Sequence, residues 1–115
     1  MANTFKVVTK AGVTSADVIY TVAGSTTTVI LGLILGNTTT SQVTSTVTLG
    51  TDTGSRAGAN NENNQDVALI TSAPIPSGSS LELHAWKKVI METTDTLSVT
   101  ATGATDVCLS IMEIT

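Results

Sequence analysis

The feature that most constrains this chain is strict alternation of apolar and polar residues, clearest between Ala73 and Ile114. Leu81, Leu83 and Ala85 alternate with Glu82, His84 and Trp86. Leu97, Val99 and Ala101 alternate with Thr96, Ser98 and Thr100. A period of two describes a strand with one buried and one wet face. Pro74, Pro76 and Gly78 make a stiff lead-in and a turn, and Thr93-Thr94-Asp95 makes a polar turn. The segment reads as about four antiparallel strands joined by short turns.

The rest of the chain has the same character. Strands are expected over Phe5 to Thr9, with Phe5 and Val7 on one face, and over Asp17 to Val22, with Val18, Tyr20 and Val22 together. Thr26 to Gly36 is the strongest. Val29, Leu31, Leu33 and Leu35 are expected on one face, with Thr28, Ile30, Gly32, Ile34 and Gly36 on the other. Apolar groups on both faces predict a central strand, or one covered by another subunit. Gly32 and Gly36 predict a bulge or a close backbone approach. Gln42 to Leu49 turns Val43, Val47 and Leu49 inward and Thr44, Thr46 and Thr48 outward. Val67 to Thr71 completes the count. With 23 Thr and 11 Ser in 115 residues, and no window with helical periodicity, little or no helix is expected. The fold class is all-β: one antiparallel β-sandwich or jelly-roll domain of about eight strands over 1–115, with a long polar loop at 50–66. A chain of this length buries roughly two-thirds of its unfolded surface and needs neither metal nor disulfide for a core.

Charge is sparse and slightly acidic, with a formal net charge of −4. Four Lys and one Arg do not make a nucleic-acid footprint. The longest apolar run, Val29 to Leu35, has seven residues, against the roughly twenty needed for a membrane-spanning helix. No signal peptide is visible at M-A-N-T-F-K. The single Cys108, flanked by Val107 and Leu109, is expected to be a buried structural thiol.

The irregular segment Gly50 to Asp66 has almost no apolar residues, and a loop of that length is expected to be functional or mobile. Its oxygen-bearing side chains (Asp52, Asn60, Asn61, Glu62, Asn63, Asn64, Asp66) raise calcium, but their spacing does not match an EF-hand loop. Contact with solvent or a neighbouring subunit is the expected role. Arg56, the only arginine, suits such a contact or a solvated surface equally.

Catalytic chemistry is poorly provided for. His84 is the sole histidine, and a Glu82–His84 pair lacks the partners that metal binding or proton transfer needs. No G-x-S-x-G elbow, glycosidase carboxylate pair or phosphate-cradling glycine loop is present. No enzyme activity, cofactor or metal is expected. Glu82, His84 and Trp86 instead form a patch about 14 Å long on one strand. There Trp86 is a subunit anchor, a sugar-stacking platform, or a residue turned into the core by a shift in register.

Several stretches together resemble a family of short structural proteins of tailed bacteriophages, notably those of marine and cyanobacterial hosts. They are M-A-N-T-F-K, V-I-Y-T-V (Val18 to Val22), S-T-T-T-V-I-L-G-L-I-L-G-N (Ser25 to Asn37), A-P-I-P-S-G-S-S-L (Ala73 to Leu81), K-V-I-M-E-T-T-D-T-L-S-V (Lys88 to Val99) and D-V-C-L-S-I-M-E-I-T (Asp106 to Thr115). The resemblance covers nearly the whole chain except Gly50 to Asp66. It implies a non-enzymatic protein of the virion, made in the host cytoplasm. Its implied station is the capsid surface, as a decoration or cement protein. The implied partners are the major capsid protein and copies of itself, as a homotrimer, with no nucleic acid, membrane or small-molecule ligand. Tail, neck or fibre-attachment components and a surface carbohydrate-binding module are the alternatives. The expected contact residues are Arg56, Asn60, Asn61, Glu62, Glu82, His84 and Trp86.

Overall fold

A computed structural model of the chain describes residues 2–51, 65–83 and 89–115. Among these, nine strands and no helix form two antiparallel sheets packed face to face. The strands are β1 (Asn3–Val13), β2 (Asp17–Thr21), β3 (Thr27–Asn37), β4 (Val43–Thr51), β5 (Gln65–Ile75), β6 (Ser80–Leu83), β7 (Val89–Met91), β8 (Thr96–Ala101) and β9 (Thr105–Ile114). One sheet has the order β1-β9-β3-β6, with β7 also paired to β3, and the other has the order β2-β8-β4-β5.

The pairing has a simple logic. β1 pairs with β9, β2 with β8, β3 with β6 and β7, and β4 with β5. The chain is thus one long antiparallel ribbon, doubled back between β4 and β5. Rolling the ribbon brings β9 against β3 and β8 against β4. This is a jelly roll, which is how the expected all-β sandwich is realised.

The core lies between the sheets. Leu33, Leu35, Met91, Val107, Leu109 and Ile111 of the first sheet meet Val43, Val47, Ile75, Leu97 and Val99 of the second. The inward set of β4, Val43, Val47 and Leu49, is as expected, with Thr44, Thr46 and Thr48 in the other phase; Thr51 at its end is buried.

Two strands depart from simple alternation. In β3, Ile30 faces Ile111 and Gly32 faces Ser110, so Leu31 is an extra residue. The bulge exchanges the faces along the strand. Thr28 and Ile30 are buried before it, and Leu33 and Leu35 after it. Val29 therefore does not share a face with Leu33, contrary to expectation, while the bulge expected near Gly32 is present. In β2, Val18 faces Ser98 and Tyr20 faces Leu97, making Ile19 the extra residue. Val18 consequently points to solvent, and Tyr20 points inward.

Several boundaries also move. β1 runs past the expected Phe5 to Thr9 strand, through Ala11 and Gly12, by means of a further bulge between Lys10 and Val13. Gly12 takes a φ of 68° there, a left-handed conformation open to glycine. Its N–H donates to Asp106 Oδ1 at 2.9 Å. Pro74 lies within β5 rather than ahead of a strand, opposite Thr44. β5 is a sheet edge, where a residue without an N–H is tolerated. Gly50 pairs with Asp66 and Thr51 with Gln65, so both ends of the expected loop are strand. Among the described residues, no helix is long and apolar enough to cross a membrane.

Candidate interaction surface

The antiparallel registers fix which residues share each face, because directly opposed residues point the same way. On the outer face of the first sheet, Phe5 faces Met112, Met112 faces Val29, and Val29 faces Ile90. One apolar row thus crosses β1, β9, β3 and β7. Phe5 is 71% exposed and Ile90 60%. Val7 (62%) lies opposite Ser110, and Ile34 (44%) lies opposite Cys108. In β3, β7 and β9 the other phase already fills the core, with Ile30, Met91 and Ile111, whereas in the edge strand β1 it consists of Thr4, Lys6, Val8 and Lys10, of which Val8 packs against the core. Lone exposed apolar residues are ordinary, whereas a contiguous apolar row across four strands is a candidate contact surface.

Charge lies away from the row. Asp106 faces Gly36 and exposed Glu82 faces Ile34, both toward one end of this outer face. The edge strand β1 carries Lys6 and Lys10 in the opposite phase, with side chains 53% and 54% exposed. Lysines on an edge strand disfavour pairing with another strand. The apolar face is therefore a better docking element than the edge beside it.

Of the expected contact residues, Glu82 is on this face beside Ile34. Arg56, Asn60, Asn61, Glu62, His84 and Trp86 lie outside the described residues. Cys108 corrects an expectation: it is half-buried on the outer face rather than in the core, because the inward phase of β9 belongs to Val107, Leu109 and Ile111. The apolar row itself was only partly signalled, by the double-faced character of Thr26 to Gly36.

The polar chemistry gathers elsewhere, at one end of the sandwich interior. Glu113 of β9 receives Lys6 Nζ at 2.7 Å on one carboxylate oxygen and the Tyr20 hydroxyl at 2.5 Å on the other. Tyr20 also lies 2.7 Å from Thr28 Oγ1. Since its one proton goes to Glu113, Tyr20 accepts here and Thr28 donates. The Lys6 hydrogen bond, followed by that of Tyr20, holds the Glu113 carboxyl below the usual carboxylate range. Burial first, and then the bond to Glu113, pushes the Tyr20 phenol up to about 12. The cluster joins β1, β2, β3 and β9, and its hydrogen-bonding capacity is spent on that joining. Among the described residues, no three or more His, Cys, Asp or Glu side chains converge on a metal position.

No protein-family model matches the chain, and no curated protein matches it. Among solved structures, a chain from "Bacillus endospore appendages form a novel family of disulfide-linked pili" is similar over 96% of this chain and 85% of that one. Its sequence identity is 16% and the TM-score 0.43, a likeness of general shape that carries no functional argument.

Proposed function

We propose that this chain is a non-enzymatic structural protein of a phage particle, bound to the outside of the capsid as a decoration or cement protein. In this reading it reinforces contacts between major capsid subunits and works in many copies. The observation that carries the proposal is the uncharged apolar row Phe5–Met112–Val29–Ile90 across four strands on the outer face of the five-strand sheet. Such a face is suited to burial against other protein rather than to turnover of a small molecule. The jelly roll agrees with this role, being an architecture that viral capsid domains share with lectins and cupins, but a fold alone does not assign a function. The sequence resemblance supplies the setting.

Locating the protein in intact particles by imaging, and counting copies against the major capsid protein, tests the proposal. Density over capsid-subunit junctions in hundreds of copies is the expected result. Six or twelve copies confined to a neck or tail ring would overturn the capsid placement.

A further inference from the structure

Resting on the reading of the outer face as a protein contact, we infer that its occupant is a second copy of this chain, packed face to face about a two-fold axis. The axis runs along the strands, between β9 and β3. The argument begins with register. Rotation about that line lays the apolar row on itself: Phe5 of one copy meets Ile90 of the other, and Met112 meets Val29. The row is its own complement, as a two-fold contact requires.

Charge allows the same arrangement. The rotation places Glu82 over Thr9 and Asp106 over Gly36, so among the described residues no carboxylate is laid directly on another. A chain with a net charge of −4 thereby pairs without stacking its acids.

Area also fits. The face holds β1 and β3 of 11 residues each, β9 of 10, β6 of 4 and β7 of 3, and each strand residue covers about 16 Å² of sheet. Each copy contributes about 600 Å², and the pair buries about 1,200 Å², at the lower end of the range of stable protein interfaces. Two twisted sheets packed with their strands aligned need no rearrangement of either.

A three-fold ring is less well served. It would need two different complementary patches on each copy. The other large exposed apolar residues described, Val18 and Val67, lie on β2 and β5, at opposite edges of the second sheet. They are separated from the row and from each other.

The test is sedimentation velocity of the full chain between about 1 and 100 μM, with circular dichroism to verify folding. The wild type is expected to sediment as a dimer. Phe5→Lys alone and Ile90→Glu alone are each expected to weaken self-association at least tenfold. Combined in one chain they are expected to restore it, because the new charges attract across the axis. Val18→Lys, on the other sheet, is expected to leave the dimer intact. Should Phe5→Lys fail to fold, Val7→Lys replaces it as a single-site probe of the face.

A monomeric wild type at 100 μM overturns the pairing, as does a trimer, or a dimer indifferent to folded Phe5→Lys, Val7→Lys and Ile90→Glu variants. Failure of the double variant to recover overturns the axis. A monomer that still decorates particles removes the self-pairing and leaves the capsid reading standing. A dimer absent from particles removes the capsid reading and leaves the pairing standing.

Discussion

The Tyr20 hydroxyl, from one sheet, donates to the Glu113 carboxylate of the other at 2.5 Å. The bond crosses the mouth of the sandwich where the core runs out. It also sets the strand pair β1–β9 against β2, since Lys6 of β1 holds the second oxygen of the same carboxylate. The two groups respond to opposite ends of the pH scale. The folded Glu113 carboxyl titrates below its ordinary value of 4.5, so its contribution is present above about pH 4.5 and is lost as pH falls through the folded value. The folded Tyr20 phenol titrates near 12, above its ordinary 10.0, so its contribution is present below pH 10 and is lost as pH rises toward 12.

Tyr20→Phe removes that alkaline dependence together with the hydrogen bond. Its expected cost at neutral pH is about 2 kcal/mol, the worth of a hydrogen bond to a charged group. Urea midpoints measured from pH 7 to 11 check both points. The gap between wild type and variant should narrow above pH 10. A gap that stays constant would mean the phenol is not bonded to the carboxylate.

Asn37 is buried, and both ends of its amide are engaged. Its Nδ2 donates to the Ser41 and Ile75 carbonyls at 2.7 and 2.9 Å, and its Oδ1 accepts from Thr39 N and Oγ1, both at 2.8 Å. The side chain thereby templates the turn from β3 to β4 and ties it to the end of β5. Asn37→Ala leaves those groups to compete for water they reach poorly, at an expected cost of about 3 kcal/mol. Denaturant unfolding measures it, and a loss below about 1 kcal/mol would contradict this role.

Thr94 has a φ of 71°, a conformation that β-branched residues avoid. The turn holds it there because Thr94 N donates to Val22 O and Val22 N to Asp95 O. Asparagine tolerates this region without the entropy cost of glycine. Thr94→Asn is expected to raise stability by about 1 kcal/mol, read as a higher urea midpoint. Thr94→Ala, still disfavoured there, is expected to gain less.

Ser45 points into the core from β4 opposite Ala101, and among the described residues its hydroxyl has no protein partner. Ser45→Ala removes a desolvated polar atom at little loss of volume. The expected gain is about 1 kcal/mol, a rise of a few degrees in Tm. A lower Tm would show that the hydroxyl is satisfied in solution.

The class of fold was legible because period-two alternation survives in β4 and β8, where polar threonines and serines separate apolar residues. It failed where the residues flanking a bulge are alike. Val18-Ile19-Tyr20 and Ile30-Leu31-Gly32 contain no polar residue to mark the extra position, and a slip of one residue exchanges the faces of everything beyond it. The same ambiguity hid the outer apolar row. Val7-Val8 and Ile111-Met112 are adjacent apolar pairs, and only register against β9 and β3 decides which member faces out. Glu82 was placed by alternation alone, since its neighbours Leu81 and Leu83 left no such choice.

The order of the ribbon bears on how the chain is born. β9 is the last of the nine described strands to leave the ribosome, yet it lies between β1 and β3 in the first sheet. Until it emerges, β1 lacks its ladder partner, and Leu33 and Leu35 are without Leu109 and Val107 beside them. The nascent chain must therefore carry an unclosed apolar trough through most of its synthesis. β3 can pair with β6 and β7 beforehand, but the first sheet is closed only when β9 arrives to join β1 to β3, the pairing of its most distant segments.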